Sequence, residues 1–482
     1  MTFVSELEPP VVWAHFDEIL TIPRGSKNEG RMREYVIGVA ERHGLEHRED
    51  AAGNVVVRKP GAPGHEDASI VVLQAHLDMV NEKNSDIEHD FDRDPIQPRL
   101  ADGYLRAEGT TLGSDNGIGI AAMLAILEDE ETAHGPLELL FTIDEETGLT
   151  GASELGADML EGRLLLNLDS EDEGELTIGC AGGMNTHVSL PLREEAGADG
   201  VGYEIRVAGL KGGHSGVDIH LQRGNAIKLL ARALYAVSRE LPFHLVRLEG
   251  GNAHNAIPRE ASATVLVPGD GGSNGFASRL EVELESIREE LRTVDPGMTG
   301  EIGDASVSGG ASDAATTGRA LELITALPHG VMAMSDDIPG LVETSTNLAV
   351  VGRAGDRMEI LLSSRSSIAS ALLALRQRIG ATAALAGAAA EEEGGYPAWQ
   401  PDVSSRLLSI VKPLYAEIVR EPKVGGVHAG LECGIIGEKY EGMDMISFGP
   451  QIEFPHSPDE RVRIDSVGTF YVVLRAVLER LA

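Results

Sequence analysis

The chain has 482 residues, of which 42% are hydrophobic, and a typical length of about 150 residues per domain predicts two or three domains. Its 40 basic and 77 acidic residues give a formal net charge of −37, which argues against nucleic acid and anionic membranes as partners. Two cysteines, Cys180 and Cys433, are too few for a disulfide framework or a thiolate zinc cluster.

The sequence contains no recognisable targeting or membrane segment. Its first ten residues have neither a basic region nor an apolar core, so no signal peptide is predicted. No apolar run approaches the ~20 residues that a membrane span requires. We therefore expect a soluble cytoplasmic protein.

Helix and strand patterns alternate in residues 1–183. Residues 10–47 predict two helices. Residues 69–76 form a nearly continuous apolar run, which is typical of a strand covered on both faces, and similar runs occur at 137–143 and 163–168. This alternation predicts an α/β domain with a mostly parallel sheet.

The pattern changes over residues 184–402, where two units repeat loosely as strand, helix, strand, strand and helix. The first unit begins with a strand at Tyr203, and the second with a strand predicted at residues 321–325. The segment 391–395 is predicted to be a linker, after which residues 403–482 return to the α/β pattern. The simplest architecture is an α/β domain interrupted by a large insertion.

Ionisable side chains occur where the strands of the first domain are predicted to end. They are His76, Asp78, Glu145, Glu146 and Asp169. Ligands of open α/β sheets bind beyond the carboxyl ends of the strands, so we expect these side chains to share one site. Residues two apart in an extended chain point to the same side, which places Asp78 beside His76.

Asp115 is the single carboxylate of a glycine-rich loop at residues 109–119, directly before an apolar, helix-forming segment. One interpretation is that Asp115 caps this helix by accepting hydrogen bonds from its free amides. The other is that it is the central carboxylate of a metal centre. The acids and histidines elsewhere in the chain favour the second interpretation.

Imidazole and carboxylate ligands together suit Zn²⁺ and related divalent ions. Two metal ions about 3.5–4 Å apart need a bridging carboxylate, and we expect Asp115 to be that bridge. His76 and Asp169 would complete one metal site. Glu146 and His456, which lies in a Pro-rich loop near the end of the chain, would complete the other.

The two remaining acids have predicted supporting roles. Asp78 would hold the free ring nitrogen of His76. Glu145 would act as the general base, taking a proton from the metal-bridging water and passing it to the leaving amine.

The sequence resembles the di-zinc amino- and carboxypeptidase clan, and within it the bacterial aminoacyl-histidine (Xaa-His) dipeptidases. The order of the ligand residues carries the resemblance, together with segments that span most of the chain. These segments include Gln-Ala-His-Leu-Asp-Met-Val, Thr-Leu-Gly-Ser-Asp-Asn-Gly-Ile-Gly, Asp-Glu-Glu-Thr-Gly-Leu-Thr-Gly-Ala, Leu-Lys-Gly-Gly-His-Ser-Gly, Asn-Ala-Ile-Pro-Arg-Glu, His-Ala-Gly-Leu-Glu-Cys-Gly and Pro-His-Ser-Pro-Asp-Glu.

The resemblance implies a cytosolic dipeptidase with two Zn²⁺ per subunit, for which Mn²⁺ or Co²⁺ are possible substitutes. The implied substrates are dipeptides, including β-alanyl-histidine, and a homodimer is possible. The implied fold is a mostly parallel-sheet zinc-peptidase catalytic domain, at residues 1–183 and 403–482, interrupted by an α+β lid with two repeated sub-units at residues 184–402.

The resemblance also implies roles for residues outside the metal centre. His214, in the Gly-Gly-His-Ser-Gly segment, matches the lid histidine that stabilises the oxyanion in this clan. Asn255 looks like the polar lid residue that faces the site. His428 and Glu432 lie in the family's glycine loop, where we expect substrate binding.

Two alternatives stay open. The first is a related enzyme of the same clan, a metal-dependent deacylase or carboxypeptidase. The second is a metal-binding homologue without catalysis, for which loss of Glu145 or of a metal ligand would be the sequence signature. All of these residues are present.

Overall fold

The computed structural model describes residues 2–195, 198–269, 273–307 and 310–482. The helices are α1 Pro10–Ile19, α2 Gly30–Arg42, α3 Ser114–Glu128, α4 Thr150–Glu154, α5 Ala226–Ser238, α6 Ser273–Leu291, α7 Ala314–Ala326, α8 Ala369–Leu385, α9 Arg406–Ile418, α10 Glu432–Lys439 and α11 Ile464–Leu481. In these ranges of the chain, no helix combines the length and apolar character needed to cross a membrane.

The strands are β1 Glu46–Glu49, β2 Val55–Lys59, β3 Val71–His76, β4 Pro98–Ala101, β5 Tyr104–Ala107, β6 Leu137–Thr142, β7 Leu164–Asn167, β8 Glu175–Cys180, β9 Gly182–Pro191, β10 Glu194–Glu195, β11 Val201–Ala208, β12 His244–Gly250, β13 Ala261–Val267, β14 Thr299–Asp304, β15 Ala311–Ser312, β16 Gly330–Met334, β17 Val342–Ala354, β18 Arg357–Ser366, β19 Ala389–Tyr396, β20 Lys423–Val427, β21 Asp444–Ser447, β22 Ile452–Glu453 and β23 Arg461–Arg463.

The chain divides into two compact units. The first unit contains Met1–Cys180, Trp399–Gly426 and Leu431–Ala482, and the second contains Ala181–Ala398 and Val427–Gly430. The short segment Val427–Gly430 therefore belongs to the second unit, although the residues on either side of it belong to the first.

The first unit is built around an eight-stranded sheet with the order β1-β2-β6-β3-β7-β21-β8-β20. Its central strands β6, β3, β7 and β21 are parallel, whereas β1 and β2 pair antiparallel at one side. Every residue of β3 and β6 is buried, as expected for strands covered on both faces. The prediction of an α/β domain with a mostly parallel sheet is confirmed.

Helix α3 is the central helix of the first unit. It packs against β3 and contacts α1, α2 and α11. Residues Ser114–Leu127 are all buried, because this small and apolar segment is surrounded by other elements rather than facing solvent on one side. Its first turn is irregular, since Asp115 and Asn116 have non-helical backbone angles.

The second unit contains a long antiparallel sheet with the order β14-β11-β13-β12-β17-β18-β9-β19. The two halves of this sheet contain corresponding strands and helices, and the corresponding strands follow in the same order from the middle of the sheet outwards. One half uses β11, α5, β12, β13, α6 and β14, and the other uses β9, α7, β17, β18, α8 and β19. Strands β12 and β17 join the halves at the pair Gly250 and Val351.

This topology corrects two local predictions. Residues 321–325 are not a strand but part of α7, whose N-terminus is capped by Asp313 through the amide of Thr316 at 2.6 Å. The first strand of the second repeat is instead β9, which precedes the first repeat in the chain. The predicted linker at 391–395 is part of the edge strand β19, which pairs with β9.

Candidate metal centre

Six ionisable side chains meet at the carboxyl ends of the parallel strands of the first unit. They are His76, which ends β3; Asp115, in the first turn of α3; Glu145 and Glu146, in the loop after β6; Asp169, after β7; and His456, in the loop between β22 and β23. Parallel strands end at the same edge of a sheet, so residues far apart in sequence come together there.

Asp115 lies between the two histidines. Its Oδ1 is 3.1 Å from Nε2 of His76, and its Oδ2 is 3.2 Å from Nε2 of His456. Each carboxylate oxygen therefore faces a different imidazole. This is the arrangement that a bridging carboxylate between two cations requires.

Each histidine also has a second carboxylate neighbour. Nε2 of His76 is 3.3 Å from Asp169, and Nε2 of His456 is 3.0 Å from Glu146. The groups His76–Asp115–Asp169 and Asp115–Glu146–His456 each offer three ligand atoms that lie within 4.8 Å of one another.

These residues fit two divalent cations. The donor atoms are imidazole nitrogens and carboxylate oxygens, the set that Zn²⁺ and similar ions prefer. Oε1 of Glu146 is buried, and no residue in the described part of the chain gives it a hydrogen bond. A buried carboxylate oxygen without a donor is costly unless a cation compensates it.

The pKa values reflect the concentration of acids. Burial raises the pKa of Asp169 to about 6, and the charges of Asp115 and Glu146 add to this effect. Hydrogen bonds to Asp115 and Glu146 raise the pKa of the His456 imidazole to about 11. The carboxylates thus stabilise positive charge at this place, which is the property a cation site needs.

Asp78 is completely buried beside His76, with its Oδ1 3.3 Å from Nδ1 of that ring. Burial would raise the pKa of Asp78, but the neighbouring His76 imidazole and a hydrogen bond from Ser26 outweigh it and lower the pKa to about 2. Asp78 also accepts the amides of Glu145 at 3.0 Å and Glu146 at 3.2 Å. It therefore fixes the histidine ring and the loop that carries both glutamates.

Glu145 lies in the same loop, within reach of His76 and Glu146. Burial raises the pKa of its carboxyl group well above the ordinary range, and the charges of Asp169 and Glu432 raise it further. A carboxylate with a raised pKa is a better proton acceptor than an ordinary glutamate at neutral pH.

Glu432 is also part of the first unit and is 1% exposed. Its Oε2 accepts hydrogen bonds from Gln74 at 2.6 Å and Thr142 at 2.7 Å, both on the central strands of the sheet. Burial raises its pKa to about 7. Glu432 is thus held by the sheet, and its predicted role in substrate binding stays a prediction.

His214 and Asn255 belong to the second unit. Nδ1 of His214 accepts the amides of Gly216 and Val217, both at 3.2 Å, so the proton of the neutral ring is on Nε2. The side chain of Asn255 is exposed, and its backbone carbonyl accepts the amide of Ser215 at 2.7 Å. The two segments therefore support each other's backbone.

His428 is buried in the second unit, where Nε2 lies 2.7 Å from Oγ of Ser345. Its carbonyl oxygen lies so close to Gly216 that a Cβ at that position would come within 2.4 Å. His428 is therefore packed directly against the loop that carries His214. Burial lowers the pKa of His428 to about 3, and the positive charge of Arg365 contributes.

Comparison with known proteins gives the family. A profile of peptidase family M20/M25/M40 matches residues 72–480. The chain belongs to this family. The peptidase is therefore a peptide-bond hydrolase, as the sequence predicted, and the prediction of a metallopeptidase-type fold is confirmed.

Two relatives match the peptidase over essentially its whole length. The cytosol non-specific dipeptidase of Escherichia coli (strain K12) is 41% identical over 100% of this chain and 99% of its own length. The crystal structure of the aminoacylhistidine dipeptidase from Vibrio alginolyticus is 43% identical, covers 99% of this chain and 98% of its own, and has a TM-score of 0.92.

A more distant structure shares the fold. The aminopeptidase PepT from Bacillus cereus is 17% identical, with a TM-score of 0.57 over 98% of the peptidase and 99% of its own chain. The fold is therefore shared well beyond the range of close sequence similarity.

Sequence reasoning missed three charged residues of the peptidase. In the first unit, Arg24 and Glu460 are each 2% exposed and bind the backbone beside Asp115. In the second unit, Arg365 is 7% exposed and donates to the hydroxyl of Tyr396 at 2.6 Å. For Glu460, the sequence did offer one signal: the residue ends the Pro-His-Ser-Pro-Asp-Glu segment, which carries part of the family resemblance.

The buried His428 predicts a pH dependence of stability. Its folded pKa of about 3 lies below the value of about 6.5 in an unfolded chain, so the unfolded state binds more protons between these values. The contribution of His428 to the free energy of unfolding is fully present above pH 6.5. It is lost as the pH falls towards 3, by up to about 1.4 kcal/mol per pH unit.

Urea unfolding of metal-free protein at pH 7.5 and pH 5 measures this effect. We expect His428→Gln to lose less stability on acidification than the wild type. His254→Gln, which changes an exposed histidine of the same unit, is the control and should behave like the wild type. Equal losses for wild type and His428→Gln would contradict the assignment.

Proposed function

We propose that the peptidase is a dipeptidase that uses two divalent metal ions, most simply Zn²⁺, in the first unit. The observation that supports this most directly is Asp115, whose two carboxylate oxygens each face a different histidine. His76 and Asp169 would hold one ion, and Glu146 and His456 would hold the other. The names of the Escherichia coli and Vibrio alginolyticus relatives support the dipeptidase activity.

The protein residues around the metals have distinct roles. When bound, the metal ions supply Lewis acidity and lower the pKa of water. Glu145 removes the proton from the attacking water and delivers it to the nitrogen of the leaving amine. Asp78 favours one tautomer and one orientation of His76, because its carboxylate lies 3.3 Å from Nδ1 and attracts a proton to that nitrogen.

His214 is proposed to donate a hydrogen bond to the oxyanion that develops on the scissile carbonyl. Two observations support this role. Its Nδ1 accepts backbone amides, which leaves Nε2–H as the free donor. Burial and the charge of Arg365 lower its pKa, so the ring is neutral at pH 7 and donates from a defined position.

Arg365 is proposed to bind the terminal carboxylate of the dipeptide. It is a buried cation that neighbours His214 and His428, and no carboxylate among the described residues forms an ion pair with it. A guanidinium binds a carboxylate through two parallel hydrogen bonds. Recognition of a terminal charge suits a small substrate, which offers few other contacts.

The remaining features of the proposal follow the relatives. We propose that the first unit is the catalytic domain, that the second is the lid, and that the protein acts in the cytoplasm, as the name of the Escherichia coli relative indicates for that protein. The name of the Vibrio alginolyticus relative supports Xaa-His substrates. A homodimer and the roles of Asn255 and Glu432 in substrate binding also remain proposals.

The activity is tested with a substrate panel. Chelator-treated protein is assayed on several dipeptides including β-alanyl-histidine, on a tripeptide and on N-acetyl amino acids, with and without Zn²⁺ or Mn²⁺. We expect metal-dependent cleavage of dipeptides only. Cleavage of the N-acetyl compounds instead would indicate a deacylase, and inactivity despite bound metal would indicate a binding protein.

The role of Glu145 is tested by Glu145→Gln. We expect kcat to fall by about 10²–10⁴-fold, because the amide cannot accept the proton, while the protein still binds metal. Kinetics and metal content measured on the same preparation separate the two properties. Glu154→Gln alters an exposed glutamate of the same unit and should have no effect; activity retained in Glu145→Gln would exclude the general-base role.

The role of His214 is tested by His214→Ala. We expect kcat to fall by roughly 10²–10³-fold, the effect of removing one oxyanion donor, with unchanged metal content. His254→Ala removes a nearby exposed histidine and is the matched control. A kcat equal to that of the control would leave His214 with only its structural contacts in the loop.

A further inference from the structure

The carboxylate of Glu460 binds the backbone of the loop that carries Asp115. Its Oε2 accepts the amides of Leu112 at 2.8 Å and Gly113 at 3.0 Å. Its Oε1 accepts the amide of Ser114 at 2.7 Å and the Ser114 hydroxyl at 2.6 Å. Glu460 is 2% exposed, so these bonds form away from water.

The loop is shaped to bind an anion. Gly113 has φ of +71°, a left-handed conformation that lets successive backbone amides converge on one side. Every group that contacts the Glu460 carboxylate is a donor, and an ionised carboxylate is the side chain that only accepts. Glu460 thus satisfies amides at the start of α3 that no helical carbonyl can reach.

Arg24 holds the same loop from its carbonyl side. Its guanidinium donates to the carbonyls of Leu77 at 3.0 Å and Asp78 at 2.5 Å, and also to the carbonyl of Gly113. Arg24 is 2% exposed. It therefore ties the end of β3, where His76 lies, to the backbone just before Asp115.

Glu460 is only four residues after His456. One short loop therefore supplies both the imidazole that faces Oδ2 of Asp115 and the carboxylate that fixes the backbone beside Asp115. The geometry of the centre depends on this connection, because Asp115 must present one oxygen to each histidine.

We propose that Glu460 is the positioning residue of the metal centre. Glu460 fixes the position of Asp115 relative to His456, and Arg24 fixes the position of Asp115 relative to His76. This inference rests on the proposed metal centre and concerns residues that contact neither the substrate nor the metals. Groups that orient metal ligands typically change metal affinity by about 10–100-fold when they are removed.

The test compares Glu460→Gln with Asp444→Asn. The amide nitrogen of Gln is a donor, so it cannot accept from the Ser114 or Leu112 side of the loop as a carboxylate does. Asp444 is the matched control in the same unit, because it also accepts one hydroxyl and one amide at a helix start, from Ser405 at 2.6 Å and Leu407 at 3.0 Å. Its side chain bonds Ser405 and Leu407 rather than a loop that carries a candidate ligand.

Two measurements are made on metal-free protein. Chelator competition gives the Zn²⁺ affinity, and hydrogen exchange gives the protection of the amides of residues 112–115. We expect Glu460→Gln to bind Zn²⁺ about 10–100-fold more weakly and to exchange these amides faster, whereas Asp444→Asn matches the wild type in both. Thermal unfolding shows whether the two variants lose comparable stability.

The outcomes separate the possibilities. Faster exchange with Zn²⁺ affinity within twofold of the wild type would overturn the positioning role and leave Glu460 a structural cap. If the amides of residues 112–115 exchange at the wild-type rate in Glu460→Gln, Glu460 does not hold this loop. A wild type that binds no Zn²⁺ would contradict the proposed metal centre, and the positioning role with it. The exchange data would then still show whether Glu460 holds residues 112–115.

A second variant covers the case in which Glu460→Gln does not fold. Ser114→Ala removes only the hydroxyl donor to Oε1 and leaves the amide donors of residues 112–115 in place. We expect it to weaken Zn²⁺ binding by roughly two- to tenfold, the effect of one hydrogen bond. An affinity equal to that of the wild type would count against the proposal.

Discussion

Repulsion between buried carboxylates shapes the first unit, since Asp115, Glu145, Glu146 and Asp169 lie side by side where water screens their charges poorly. Such a cluster is stable only if positive charge or hydrogen-bond donors compensate it. The imidazoles of His76 and His456 face the cluster, and the buried guanidinium of Arg24 binds the backbone just before Asp115. The metal ions that we propose would supply further positive charge at this place.

Rigid elements carry most of this arrangement. His76, Glu146 and Asp169 lie at or just after the ends of β3, β6 and β7, whose residues are all buried, and Asp115 lies on α3, so the sheet and this helix set their backbone positions. The irregular start of α3 is the exception, and there the amides are satisfied by a side chain from a distant part of the chain. A site with closely spaced ligands needs this precision, because small displacements of a ligand weaken metal binding.

The second unit follows a different principle. Its sheet is assembled from two similar halves, and the later half begins with a strand that precedes the earlier half in sequence. Its candidate functional residues are neutral histidines and a buried arginine rather than acids. The two units therefore differ in electrostatic character: the candidate site of the first concentrates acids, whereas the second carries neutral imidazoles and a buried guanidinium.

Much of the peptidase was predictable from sequence because hydrophobic runs and strand-end acids are local signals. The runs at 69–76, 137–143 and 163–168 predict β3, β6 and β7 closely, since these strands are fully covered. The same pattern predicted that His76, Glu146 and Asp169 would come together, and the structure does bring them to one edge of the sheet, where their role as metal ligands stays a prediction. Local pattern failed where tertiary contacts decide the outcome, as in the segment 321–325, which is helical within α7.

Tertiary structure alone decided the rest. The segment 391–395 reads as a polar linker, yet it is an edge strand, because pairing with β9 requires only its backbone. The positions of Arg24, Glu460 and Arg365 could not be inferred either. Hydrogen bonds such as those between Glu460 and Ser114 join residues that are 346 positions apart, and a contact of that kind leaves no periodicity in the sequence. The sequence by itself therefore determined which acids and histidines lie at the strand ends. Only the fold decided that Arg24 and Glu460 bind the backbone beside Asp115.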